Sequence, residues 1–336
     1  MHIRNNFDGV RLAAALAVLA SHQFWIAGHP EPLTFGPMTL GGLAVLVFFS
    51  ISGYLVASSW VADPKPWRFA ARRFLRIWPA YAVVVVCAAV WAGTTNPSPL
   101  AATAAWMFVS KHLVFRSFEW AFFPTLHDPR LNPSIWTIPF ELACYLAFAL
   151  VAVVSRTWWA AFLVAVCGPA FIWWGFGMAA FDPSAATLQV DGVLFAAFFA
   201  FGAVLSGMPV LRTARVSALL VLSGIIAFAA GSEVIGLAIA IPAAVIQVGS
   251  RAWPVLGRAG RFGDFSYGIY LWGWPVQQVI AVHLGPGFGV WRLLAVSTIV
   301  VTLLAALSWH LVEKRALRAK PTRTTAWPRA LTLELT

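Results

Sequence analysis

Charged side chains are scarce in this chain. Asp, Glu, Lys and Arg make up 10% of its 336 residues, against roughly 25% in soluble domains. Apolar residues reach 60% and mean hydropathy is +0.80, which excludes a soluble globular domain. Acidic residues are the scarcer charge, 12 against 23 basic, for a net charge of +11. The basic residues lie between apolar runs, so they point to loops facing an anionic membrane surface rather than to nucleic acid. There are three cysteines, Cys87, Cys144 and Cys167, all inside apolar runs. Neither a disulfide framework nor metal-ligand spacing follows from them. HExxH, GxSxG, Walker and paired CxxC elements are missing, as is a GxGxxG in suitable context. That argues against a metalloprotease, a serine hydrolase or an ATP-driven pump within this chain. The first apolar run carries Arg11 and His22, so it reads as a retained span rather than a cleaved leader.

Long apolar stretches are what the chain has in abundance. About 20 such residues cross a bilayer as a helix. Ten segments qualify: 7–27, 40–60, 77–93, 136–154, 158–176, 188–207, 215–231, 233–249, 266–284 and 291–312. The run 101–118 is shorter and holds Lys111, His112 and Arg116, which predicts an interfacial or re-entrant helix. With ten crossings and an inside N-terminus, 18 of the 23 basic residues fall on the inner side, as charge bias requires. The expected fold is an all-α polytopic membrane protein with both termini cytoplasmic. Residues 1–318 read as one transmembrane domain, and 319–336 as a basic, flexible cytoplasmic tail. The external segment 94–135 is long enough to form part of a site.

Ionisable groups at membrane depth are costly and usually face a cavity or pathway. Arg11 and His22 share a face of the first span, roughly 16 Å apart along its axis. Asp8, one turn before Arg11, is placed to pair with it. Glu141 starts a span from the outer side, at a depth similar to that of His22, so the two are placed to meet. A carboxylate there orients an imidazole, or merely braces the bundle through Tyr145. Arg68, Arg72, Arg73 and Arg76 crowd the inner loop after the second span. They suit a phosphate-bearing ligand, or anchor the loop to anionic lipid. Ser266, Tyr267 and Tyr270 begin the ninth span among aromatics. An interfacial belt is the first reading, and a ligand channel the second. Ser50 and Ser52 read as small residues for helix packing.

Taken in order, these segments resemble the integral-membrane acyltransferase 3 family. The resemblance runs from Asn6-Phe-Asp8-Gly9-Val-Arg11 with His22, through Phe48-Phe49-x-x-Ser52-Gly53-Tyr54 and Arg72-Arg73-x-x-Arg76-Ile-Trp-Pro79. It continues through Trp136-Thr-Ile-Pro-Phe-Glu141-x-x-x-Tyr145 and Ser266-Tyr267-x-x-Tyr270-Leu-Trp-Gly-Trp-Pro275 to Glu313-Lys-Arg, about residues 5–315 in all. Many members have a histidine where this chain has Gly273, so that residue's role does not transfer.

The resemblance implies acyl transfer from cytosolic acyl-CoA, commonly acetyl-CoA, to a hydroxyl on a carbohydrate or lipid-linked glycan, in a bacterial inner membrane. On that reading His22 is the general base, or a transient acyl carrier. Glu141 orients it or the acceptor. Arg11, Arg72, Arg73 and Arg76 hold the CoA phosphates, Tyr267, Tyr270 and Ser52 line the donor path, and Asp8, Trp136 and Tyr145 support the site. No metal is called for, and membrane lipid is the surrounding partner. The rival reading is a transporter or flippase using Arg11, His22 and Glu141 as a pathway.

Overall fold

The computed structural model describes residues 5–35, 38–95, 98–154, 159–176 and 188–321. Most of the expected tail, 322–336, lies outside the described residues. Twelve α-helices are present among them: α1 (Phe7–Ile26), α2 (Leu40–Ala62), α3 (Pro66–Thr95), α4 (Pro99–His112), α5 (Ile138–Val154), α6 (Trp159–Phe176), α7 (Leu188–Gly207), α8 (Ala214–Ala229), α9 (Glu233–Gly249), α10 (Ser266–Leu284), α11 (Val290–Ser308) and α12 (Lys314–Arg318). Among the described residues a two-stranded antiparallel ribbon, β1 (Leu33–Phe35) and β2 (Met38–Thr39), is the one departure from helix and loop.

Each of the ten expected apolar segments falls on a helix. By length and composition six helices are long and apolar enough to cross a membrane, and three more are apolar but shorter. The chain is a multi-pass, mainly α-helical membrane protein. Helix α4 has only 14 residues and ends in a turn where Phe115 adopts φ +58°. It is too short to cross upright.

The expected inner loop of arginines is not a loop. Pro66 opens α3, and the helix runs 30 residues from there. Arg68, Arg72, Arg73 and Arg76 therefore occupy its first three turns. Proline at a first helical position followed by good helix formers explains the early start. A second proline, Pro275 inside α10, removes a helix donor and frees the Leu271 carbonyl. Asn132, from the segment before α5, donates to that carbonyl at 3.2 Å, so a backbone acceptor in apolar surroundings is satisfied.

Close packing sets how the helices meet. On α2, a side chain at Gly53 would run into the Phe199 carbonyl of α7, and one at Gly202 of α7 into the Ser50 carbonyl. The two backbones touch through this reciprocal pair. Helices α1 and α10 run parallel. Gln277 of α10 donates to the Leu19 carbonyl at 2.7 Å, and His22 meets Trp274 edge-to-face with centroids 4.8 Å apart. Together α1, α2, α3, α5 and α10 enclose the region that carries the polar side chains.

Candidate active site

Between these helices lies a cavity of about 100 Å³, walled by Arg11, Ser52, Arg73, Arg76, Glu141, Tyr145, Tyr267 and Tyr270 among others. Eight residues singled out from the sequence thus converge from five helices. Ser52 donates to Glu141 at 2.9 Å and lies 2.9 Å from the Tyr145 hydroxyl, and Tyr145 also donates to Glu141. Ser52 thus lines the cavity and hydrogen-bonds in its wall rather than only packing helices. Tyr267 donates to the Ile77 carbonyl at 2.9 Å, and Tyr270 to the Ser134 carbonyl at 2.5 Å. Both tyrosines face the cavity. They do not form the expected interfacial belt, because their hydroxyls find carbonyl partners inside the bundle.

The cations of the cavity are held by acids far along the chain. Asp264 accepts from Arg11 at 2.6 Å and from Arg76 at 2.5 Å. Arg76 lies 3.7 Å from Glu313, and Ser308 donates to Glu313 at 3.1 Å. Burial alone would raise the Asp264 carboxyl, but Arg11 and Arg76 outweigh it and hold it well below the usual carboxylate range. Such partners offset the cost of placing arginine in apolar surroundings. Asp8, expected to pair with Arg11, is exposed and abuts Gly260 instead. Sequence reasoning missed Asp264 and gave Glu313 no role. The available signal was an acid in the otherwise basic segment 251–264, immediately before a helix start.

Arg72 does not reach the cavity. It is 5% exposed and binds Asp63 at 2.6 Å, with Arg68 3.7 Å from the same carboxylate. The Arg72 hydrogen bond holds the Asp63 carboxyl below its ordinary value. This pair fastens α3 to the end of α2. Arg73 is different: its guanidinium lies 5.7 Å from the ring centres of Phe69 and Tyr145. It forms no carboxylate pair among the described residues.

His22 is half-buried and does not line the cavity. On α1 the cavity is lined at Arg11, and the imidazole is eleven residues, roughly 16 Å, further along the axis. It does not touch Glu141. The ring forms no hydrogen bond among the described residues, and the carboxylate whose field reaches it is Asp128. Asp128 is tied to Trp25 at 3.2 Å and to Arg130 at 2.6 Å, while the Asp128 and Arg130 carbonyls both accept from Gln278. The segment before α5 is thereby pinned over the ends of α1 and α10. Burial raises the Asp128 carboxyl, and Arg130 more than offsets this and lowers it. Trp136 packs against Phe140 and Phe195, away from the cavity. A side chain at Gly273 would press on Leu19 at 3.1 Å. Among the described residues no cluster of three metal-ligating side chains occurs.

A sequence profile described as an acyltransferase domain matches residues 4–310. The chain belongs to this acyltransferase family. It is 30% identical to an O-acetyl transferase of Shigella phage Sf6, over 96% of this chain and 98% of that one. It is 27% identical to nodulation protein 10 of Rhizobium leguminosarum bv. viciae, over 94% of each. It is 24% identical to a peptidoglycan O-acetyltransferase of Listeria monocytogenes serovar 1/2a, over 92% of this chain and 55% of that larger protein. No solved structure matches. The acyltransferase is therefore a multi-pass membrane enzyme of O-acetyltransferase kinship, and its cavity is the place to seek the chemistry.

Proposed function

We propose that this acyltransferase moves an acyl group, most simply acetyl, from cytosolic acyl-CoA to a hydroxyl of a cell-envelope or exported carbohydrate. The setting is a bacterial inner membrane, spanned ten times with both termini cytoplasmic. The observation that carries the reading is the cavity itself: lined by the guanidiniums of Arg11, Arg73 and Arg76 and by the hydroxyls of Ser52, Tyr145 and Tyr270, with Arg11 on the helix that bears His22 further along.

A thioester arm entering from the Arg11 end brings its carbonyl towards His22. The imidazole accepts the proton of the acceptor hydroxyl as its oxygen attacks the thioester carbon. The tetrahedral intermediate expels the CoA thiolate, which takes up the proton, leaving an ester and free thiol. The imidazole, which forms no hydrogen bond among the described residues, suits a group that must receive a substrate proton. Glu141 holds the hydroxyls of Ser52 and Tyr145 in the wall and acts on the arm rather than on His22. Exported glycan reaches His22 from the side closed by the segment around Asp128.

The test is thioester turnover by purified protein in nanodiscs, with free thiol read out and a panel of carbohydrate acceptors supplied. The expected result is acceptor-dependent thiol release, abolished in His22→Ala with unfolding temperature preserved. Retained turnover in His22→Ala would overturn the assignment, and an absence of acyl-CoA binding in the wild type would overturn the donor.

A further inference from the structure

Four arginines near the start of α3, together with Arg11, were the expected phosphate ligands. Most of them are engaged: Arg68 and Arg72 by Asp63, Arg11 and Arg76 by Asp264. A polyanion would have to displace those carboxylates. Cations without such partners lie elsewhere, around the start of α1.

Arg212 follows α7, Arg251 follows α9, and Arg258 and Arg261 sit on a 3-10 turn at Leu256–Arg261. None of the four lies within 4 Å of a carboxylate among the described residues. Several contacts hold the segments that carry them around the start of α1. The Gln247 amide, oriented so that both its ends are satisfied, donates to the Arg212 carbonyl at 3.0 Å and accepts from Arg251 at 2.7 Å. The Asn6 side chain donates to the Val248 carbonyl at 2.9 Å and accepts from the Trp253 amide at 2.9 Å. The Leu256 backbone lies so close to Gly9 that a side chain there would meet its oxygen at 2.8 Å. The loop bearing Arg251, Arg258 and Arg261 is thus clamped onto the first turn of α1.

This face also connects to the cavity. Arg212 donates to the Tyr54 hydroxyl at 2.8 Å, and Tyr54 stacks on Phe7 with centroids 5.2 Å apart. Phe7 is one helical turn from Arg11, which walls the cavity. Exposed flat groups accompany the charges: Trp253, and Phe262 with the Arg261 guanidinium 4.3 Å from its ring centre. Guanidiniums for phosphate beside aromatic faces for a base are the two elements that a nucleotide requires.

The geometry points to Arg212, Arg251, Arg258 and Arg261 as the phosphate-binding face for the nucleotide end of the acyl donor, with Trp253 and Phe262 offering stacking surface. This rests on the acyl-CoA reading above and relocates the phosphates away from Arg72. The same phosphate chemistry is offered by anionic lipid headgroups, so the experiment must separate the two sources.

Binding of adenosine 3′,5′-bisphosphate and of acetyl-CoA is measured by calorimetry on detergent-purified wild type, Arg212→Gln/Arg251→Gln, Arg258→Gln/Arg261→Gln and Arg72→Gln. Retention of phosphatidylglycerol is measured in parallel by native mass spectrometry. The expected result is at least tenfold weaker binding of both nucleotides in the two double variants, with lipid retention unchanged. The donor KM should rise while kcat at saturating donor stays within twofold, and Arg72→Gln should bind as the wild type does. Unchanged nucleotide binding in the double variants overturns the inference, as does a loss confined to phosphatidylglycerol. If the wild type binds acetyl-CoA and only the variants fail to differ, this inference falls alone; if it binds no acetyl-CoA, the donor reading falls with it.

Discussion

Arg72 Nη1 lies 2.6 Å from Asp63 Oδ2, with both side chains almost wholly buried at the turn from α2 to α3. Removing one partner of a buried pair strands the other charge, at a cost of roughly 3 kcal/mol. Arg72→Ala should therefore lower the unfolding temperature of the purified protein clearly, while acyl-CoA affinity per folded molecule stays within twofold. A large loss of affinity with unchanged unfolding would return Arg72 to the donor site.

Glu141 ties Ser52 and Tyr145 into one wall of the cavity. Glu141→Gln keeps the size and some of the hydrogen bonding but removes the charge. Turnover should fall by about 10²-fold, the size of loss that a small misplacement of a positioned substrate can cause, with little change in unfolding temperature. Full activity in this variant would reduce Glu141 to a brace.

Acid should loosen the fold through two carboxyls. Asp63 and Asp264 are both held below their ordinary values, Asp63 by its Arg72 hydrogen bond and Asp264 by Arg11 and Arg76 outweighing burial. A group whose folded pKa is depressed contributes stability that is present above its unfolded value, about 3.9 for Asp. That contribution is lost as pH falls through the lower folded value. Unfolding temperature should accordingly include the full contribution of these two groups, unchanged with pH, between pH 6 and 8, and decline below about pH 4. In Asp63→Asn the starting stability should be lower and the acid decline shallower, as followed by thermal melts across pH.

Gly53 and Gly202 let α2 and α7 touch backbone to backbone. A methyl group at either position meets a carbonyl on the opposite helix, which no side-chain adjustment relieves. Gly53→Ala or Gly202→Ala should cost more than the 1–3 kcal/mol typical of overpacking. The measurement is the yield of monodisperse protein on size exclusion, expected to be a small fraction of wild type.

The helices were legible because crossing a bilayer demands long apolar runs, and nothing else in the chain mimics them. The arginines of α3 show the limit of that signal: charge alone made 65–76 look like a loop, although no breaker separates Pro66 from Pro79. The cavity residues were legible as types and depths, since Arg11, Glu141 and the tyrosines are expensive where they lie. Their partners were not. Arg76 and Arg11 bind an acid 188 and 253 positions away, and depth along a helix carries no information about which neighbour it faces. The expected encounters of Arg11 with Asp8 and of His22 with Glu141 failed for that reason. The belt reading of Tyr267 and Tyr270 failed likewise, because an aromatic near a helix end looks the same from the sequence whether it faces lipid or a cavity.

The buried face of α11 advances from Leu293 to Ser297, Val301 and Ala305 in steps of four, then to Ser308 by three. The next buried residue, Glu313, lies five further on, across a π-turn at Trp309–Glu313. A single deletion is ordinarily among the harshest changes a helix can suffer, since it rotates everything beyond it by about 100°. Here the chain carries one residue of slack. Taking one residue out between Trp309 and Val312 restores an ordinary step of four and still delivers the Glu313 carboxylate to Arg76. The same deletion earlier in α11 would swing that carboxylate out of the molecule.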